Sequence, residues 1–391
     1  MDAKARVAEL IGSARGGLID LSHRIHAHPE IAFEEERSAA WVAGSLSDGG
    51  FEVQTGAGDL PTAFVATAGT GPLTIAICAE YDALPEIGHA CGHNVIAAAA
   101  VGAGIALAPL ADDLGITVRV VGTPAEEGGG GKILLLERGV FDGAHAAMMV
   151  HPAPYERHEM PCLAVSSWNV AYSGRTAHAS AFPEMGVNAA DALTVAQVAI
   201  GLMRQHMRTT DRVHGIVIDG GEAPNIIPGY ATGRWYVRSS TLAALEEWEP
   251  KVLRCFEAGA LATGSTLELT PHCPPYSEFR TDAGMAAAYV RNAEALGRTF
   301  LDLEALGADP SRLAGSTDMA NVSLAMPAIH PMLGIDSFPA VNHQPEFAAA
   351  CVSDAADRAV ADGATAMAWT VIDLATDEAE RSRLLASAYH H

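Results

Sequence analysis

The chain has 391 residues, with 24 Lys and Arg against 47 Asp and Glu, a formal net charge of −23. That length exceeds what one core supports, so two domains are expected, and that charge repels phosphate backbones and anionic bilayers, so nucleic acid is excluded as an expected partner. Six cysteines (Cys78, Cys91, Cys162, Cys255, Cys273, Cys351) lack framework spacing and the opening MDAKARVAEL lacks a secretory pattern, so a cytoplasmic protein with reduced thiols is expected.

Residues 4–48 read as two helices separated at HAHPE, with apolar residues at helical spacing in VAELIGSARGGLIDLSHRI and AAWVAGSL. From Phe51 the texture changes to the short β-rich runs FEVQ, TAFVATA, LTIAICAEYD, ITVRVVGTPAEE and AHAAMMVHP, with helical segments at 95–108 and 131–139 between several of them. This alternation predicts an α/β fold with a mixed, largely parallel sheet flanked by helices. The apolar run 95–111 is mostly Ala and Gly, contains Pro109, and falls short of the roughly 20 residues a membrane span needs. A buried helix is expected there, and no membrane partner.

Near Leu163 a second unit begins with LAVSSWNVAYSG, followed by a helical run, two β-rich runs, a helix at 242–262 and STLELTPHC. The β-α-β-β-α-β order predicts an inserted four-stranded α+β domain over 164–274, between the two parts of the first domain at 1–163 and 275–391. The last strand expected is AIHPMLGI, ahead of NHQPEF.

The chemistry-bearing residues gather where the strands of the first domain end. Glu80 and Asp82 close one run, Glu126 and Glu127 the next, and His151 the third. Ligands of open α/β sheets bind outside the carboxyl ends of the strands. Cys91 and His93 in GHACGHN, with Glu127, His151 and His343, supply the thiolate, imidazole and carboxylate donors of transition-metal sites. The pair Glu126-Glu127, in a turn with four glycines, suggests a division of labour in which one carboxylate binds metal and the other acts as general acid and base. The rival is a solvated acidic turn. The GGGGK at 128–132 fails as a phosphate loop, because Glu126 stands where the first glycine belongs and Ile133 where Ser or Thr belongs. A cysteine hydrolase with Cys91 as nucleophile and His93 or His89 as base stays open, although it leaves Glu126, Glu127 and His151 without roles.

These motifs resemble those of the M20 metallopeptidases, in the amidohydrolase branch with auxin-conjugate hydrolases, aminobenzoyl-glutamate hydrolases and proteins like M20 domain-containing protein 2. The resemblance rests on HRIHAHPEIAFEE at 23–35, AEYDALPEIGHACGHN at 79–94, GTPAEEGGGGK at 122–132, VHP at 150–152, SGRTAHAS at 173–180, GGEAPNIIPGYA at 220–231, GSTDMANVS at 315–323 and NHQPEF at 342–347. AEYDALP and GSTDM are closer to the aminobenzoyl-glutamate and M20 domain-containing protein 2-like members.

The resemblance implies a zinc-exopeptidase-like catalytic domain with two divalent metal ions per subunit, Zn or Mn foremost, Co or Ni as alternatives. Cys91 would bridge them, His93 and His151 would complete one site, and Glu127 and His343 the other. Asp82 would orient a ligand histidine, and His89 would have a supporting or packing role. The inserted domain would be the lid and dimerisation domain of a homodimer, with His178 reaching the partner's active site. Asn225 and Arg238 would bind the substrate's carbonyl or carboxylate end. The expected reaction is hydrolysis of the amide bond of small N-acyl, N-aroyl or aminoacyl amino acids or dipeptides, with Glu126 as the base for a metal-activated water and one metal with His178 at the oxyanion. A metal-independent cysteine amidase and a catalytically silent binding protein are the alternatives.

Overall fold

Val7, Ile11, Leu18, Leu21 and Ile25 recur at helical spacing, and they form the buried stripe of the first helix, Ala3–His26. The second helix, Glu36–Asp48, buries Val42 and Leu46 in the same way. The structure, a computed structural model, describes residues 2–301 and 314–391. These fold as two units, Met1–Pro161 with Phe279–His391, and Cys162–Glu278.

The first unit holds a six-stranded sheet in the order Glu52–Thr55, Phe64–Ala68, Ile116–Gly122, Leu73–Ala79, Ala146–Met148, Ala328–Ile329. The last four strands are parallel to one another, and the first two pair antiparallel at one edge. Leu73–Ala79 is buried at every residue, as a continuous apolar run covered on both faces must be. Helix His93–Leu107 lies in the core beside Ala3–His26 and Asp354–Thr376. Its glycines permit that approach: a Cβ on Gly102 would lie 2.8 Å from both Ala364 and Leu18.

Three elements differ from the sequence expectation. The apolar helical run continues through a 3-10 turn at Ala108–Leu110 to Leu114, 22 residues in all, which is long enough to cross a membrane. Pro109 does not stop it, because it sits in the first turn of the 3-10 segment where no N–H is required. The run is largely buried inside its unit. AHAAMMVHP and AIHPMLGI each form two short strands. Ala146–Met148 pairs with Ala328–Ile329 and His151–Ala153 with Met332–Gly334, and the pairing is interrupted at Met149 and Val150 on one side and at the His330-Pro331 step on the other.

The second unit is an antiparallel sheet in the order Thr266–Tyr276, Ala164–Ser173, Tyr230–Ser239, Arg212–Asp219, with helices Ala189–Met203 and Leu242–Thr263. Both helices start on side-chain caps, Asn188 and Thr241. Tyr172, Trp235, Phe256, Leu193 and Val252 form its core. Strand Thr266–Tyr276 runs two residues past Pro274, with register shifts that absorb its prolines on a sheet edge.

Candidate metal centre

The strand order places the carboxyl ends of Leu73–Ala79 and Ile116–Gly122 side by side, because Ala79 pairs with Gly122 in parallel register. The chain then turns from one strand into Glu80 and Asp82 and from the other into Glu126 and Glu127. Next to them, Gly92 opens helix His93–Leu107 in the left-handed region at φ 80°, and a Cβ there would lie 2.4 Å from Pro152 Cγ and 3.0 Å from Cys351 Sγ. Only glycine fits that turn, and it delivers Cys91 on one side and His93 on the other. His151 starts the strand beside Pro152. His343 is tied in by its backbone N–H, which donates to Ala90 O at 2.8 Å.

The result is two donor sets with one member in common. The ligand atoms of Cys91, His93 and His151 lie within 4.8 Å of one another, and so do those of Cys91, Glu127 and His343. Cys91 Sγ is 3.4 Å from His151 Nε2, and His343 Nε2 is 3.4 Å from Glu127 Oε1. All are buried except Glu127, which is half-buried, and His343, which is exposed at the rim.

Neighbouring groups fix the donors' orientation. His93 Nδ1 donates to Asp82 Oδ1 at 2.8 Å and His151 Nδ1 donates to the Pro152 carbonyl at 2.9 Å, which leaves both Nε2 atoms with lone pairs for a ligand. The second Asp82 oxygen accepts from the Glu127 backbone N–H at 2.9 Å. His93 Nε2 and Glu127 Oε1 are buried and have no hydrogen bond among the described residues. Buried polar atoms of this kind call for a partner.

The charge balance asks for a cation. Burial, then Glu80, Glu127 and Asp318, push Glu126 well above the carboxylate range. Burial opposes a charge on His93, but Asp82, Cys91 and Glu80 outweigh it and raise its pKa well above the usual range. Burial and Glu127 push the Cys91 thiol up, while burial holds His151 down to about 4 despite Glu80. Glu127 stays low because His343 and His93 outweigh its burial. The group draws protons where positive charge is lacking. Soft and borderline donors, orphaned buried atoms and excess negative charge together fit divalent transition ions.

Four further residues, Lys132, Asp318, Glu35 and His330, have no role in the sequence reading. Lys132, fully buried, sets its ammonium 2.5 Å from Glu80 and 2.6 Å from Asp318, and its backbone N–H donates to Asp318 at 2.9 Å. Glu80, Glu126 and Asp318 themselves lie within 4.8 Å of one another. Glu35 is buried, accepts from the Phe33 and Ala125 amides and from Thr62 Oγ1, and is pushed up to about 7 by burial and by Asp82. His330 is buried with its ring centroid 5.3 Å from that of His151. The signals were a lysine opening an apolar helix, a glutamate closing HPEIAFEE and a His-Pro step like that of His151. His89 is buried beside His26, with ring centroids 6.0 Å apart, and belongs to neither donor set.

The remaining expected residues lie in the second unit. His178 Nδ1 accepts from the Ala181 and Ser180 amides at 3.2 and 3.4 Å, so its Nε2 carries the proton, and the residue is exposed. Asn225 is brought next to it, since Ala179 N donates to Asn225 O at 2.9 Å and His178 bridges Ile226. Arg238 lies near the far end of strand Tyr230–Ser239, with Nε 3.2 Å from His214 Nε2.

Residues 76–362 match the model of the peptidase family M20/M25/M40, and the chain belongs to that family. It is accordingly an enzyme of the metallo-amidohydrolase and peptidase class. It is 39% identical over 386 residues to the Xaa-Arg dipeptidase of Mus musculus, covering 95% of this chain and 88% of that protein. It is 33% identical over 298 residues to one of the subunits of the p-aminobenzoyl-glutamate hydrolase of Escherichia coli strain K12, covering 70% of this chain and 62% of that one. The fold matches the aminobenzoyl-glutamate utilization protein of Klebsiella pneumoniae with a TM-score of 0.74 at 19% identity, over 93% of this chain and 97% of that one. It also matches a dinuclear metal-binding M20 peptidase of Bacillus subtilis with a TM-score of 0.68 at 23% identity, over 93% and 99% of the two chains.

Proposed function

We propose that the protein hydrolyses the amide bond of small N-acyl, N-aroyl or aminoacyl amino acids or dipeptides, using two divalent metal ions per subunit and Glu126 as general base. The observation that carries this reading is Cys91, shared between the Cys91, His93, His151 set and the Cys91, Glu127, His343 set, with Glu126 at 3.9 Å from His93. His93 and His151 would hold one ion, Glu127 and His343 the other, and the Cys91 thiolate would bridge them. Bound ions supply a nucleophilic water at neutral pH and polarise the scissile carbonyl.

The protein's own groups do the rest. Asp82 holds His93 and the Glu127 backbone in register. Glu126 takes the proton from the attacking water and returns it to the leaving amine, a task suited to a carboxylate whose pKa is raised. His178, with its proton on Nε2, would donate to the oxyanion, and Asn225 and Arg238 would hold the substrate's carbonyl or carboxylate end. In this reading the second unit is a lid and dimerisation domain. Its edge strand Arg212–Asp219 exposes Ile216, Val217 and Ile218, which supports self-association as a homodimer that brings His178 to the partner's site. The similarity to an Xaa-Arg dipeptidase and to an aminobenzoyl-glutamate hydrolase supports a dipeptide or aroyl-amino-acid substrate. Six free cysteines support a reducing, cytoplasmic setting.

A cysteine amidase reading is weakened by the Cys91 thiol, which burial and Glu127 keep protonated without a cation. A silent binding protein has no observation in its favour, since both donor sets and Glu126 are complete. The test is a panel of N-acyl, aminobenzoyl, β-alanyl and Xaa-Arg substrates with Mn²⁺ or Zn²⁺. Turnover of at least one is expected, and none across the panel would contradict the reading.

A further inference from the structure

Besides the donor His343 at φ 68°, two non-glycine residues on the turns around Glu35 have left-handed backbones, Phe33 at φ 63° and Ala125 at φ 58°. Ala125 immediately precedes Glu126. L-residues other than Asn and Asp seldom adopt that region, and such positions persist only where surrounding structure dictates them. Both amides donate to the same atom: Phe33 N and Ala125 N each lie 2.9 Å from Glu35 Oε1. The other oxygen, Oε2, accepts from Thr62 Oγ1 at 2.9 Å, and the Thr62 carbonyl in turn accepts from Tyr81 OH at 2.5 Å. Tyr81 sits between Glu80 and Asp82. Glu35 is 0% exposed, so water cannot replace these bonds. The glycines after Glu127 close the turn, with Gly129 N and Gly130 N donating to Ala125 O at 3.0 and 2.9 Å.

We infer that Glu35 is a positioning residue, a buried clamp that locks the left-handed turn at Ala125 and thereby aims the Glu126 carboxylate at the donor sets. It does not touch the reacting atoms. It acts through one backbone amide, and the same oxygen pins the loop 29–35 against the turn. This inference rests on the reading of Glu126 as general base, and its structural part can be judged without it.

The test compares E35A, E35Q and A125G with the double variant E35A/A125G, all as full-length protein loaded with Mn²⁺. In E35A, kcat is expected to fall ~10²-fold with KM and metal content near wild type, the cost of misplacing a catalytic group by about 1 Å. E35Q keeps an acceptor for the two amides and is expected to keep most of the rate. Glycine takes positive φ unaided, so in the A125G background loss of Glu35 is expected to cost much less, a coupling that packing alone would not produce. Wild-type kcat in E35A, an E35Q loss equal to that of E35A, or equal costs in both backgrounds would overturn the clamp. A crystal structure of E35A, or of E35A/A125G if E35A does not fold, supplies the readout free of activity. Residue 125 leaving the left-handed region in E35A, and keeping it in the double variant, is expected. A turn in E35A unchanged from wild type, or a turn lost in the double variant, overturns the inference even if the wild-type enzyme cleaves nothing in the panel, a result that would bear only on Glu126.

Discussion

Asp82 accepts a hydrogen bond from His93 Nδ1 at 2.8 Å while its other oxygen accepts from the Glu127 amide at 2.9 Å. One carboxylate therefore sets the tautomer of a donor in one set and the backbone of a donor in the other. Removing such a supporting group costs ~10–100-fold in metal affinity. Asp82→Ala is expected to weaken metal binding by that factor, measured by competition with a chromogenic chelator. Unchanged affinity would show that His93 keeps its orientation unaided.

Glu126 should behave differently. Glu126→Gln retains size and hydrogen bonding but cannot carry a proton, and loss of a general base costs ~10²–10⁴-fold in rate. The expected variant has kcat reduced by that range, with metal content equal to wild type by elemental analysis. A near-normal rate would remove Glu126 from the mechanism.

Lys132 is predicted to matter first for stability. Replacing it by Met leaves Glu80 and Asp318, both fully buried, without the ammonium that sits 2.5 and 2.6 Å from them. Breaking one side of a buried ion pair costs about 3–5 kcal/mol. Urea unfolding of chelated Lys132→Met should show a loss of that order, and a loss below about 1 kcal/mol would mean that the cluster reorganises or takes up protons at little cost.

Glu35 gives the stability a pH signature. Its pKa rises from 4.5 in the unfolded chain to about 7 in the native protein, chiefly through burial and then through Asp82. Between those values the unfolded chain has released the proton while the native one still holds it. The contribution of Glu35 is therefore most favourable below the lower value and declines as pH rises through about 7. Glu35→Gln removes this titration, so its stability relative to wild type should rise across that window by on the order of 3 kcal/mol. Parallel pH profiles of the two metal-free proteins would contradict the assignment.

The strand ends explain how much of the centre was legible in the sequence. Glu80, Asp82, Glu126, Glu127 and His151 each follow or open a β-rich run, and parallel pairing of those runs brings them to one edge of the sheet. Cys91 and His93 were visible because they precede an apolar helix. Lys132 was hidden because its partner Asp318 is 186 positions away, and four glycines before it look like a flexible turn. Glu35 was hidden for the same reason, since it meets Ala125 across 90 positions and its φ values leave no mark in composition. The helix to Leu114 outran its expected end because Pro109 fell in a first turn, where a proline is harmless.

The central claim is that two ions held by Cys91, His93, Glu127, His151 and His343 serve amide hydrolysis. Metal content and substrate turnover measured on the same sample, before and after exhaustive chelation, test it most directly. The account predicts about two divalent ions per chain, loss of turnover when they are removed, and recovery with Mn²⁺ or Zn²⁺. Full turnover by protein with no bound metal would contradict it.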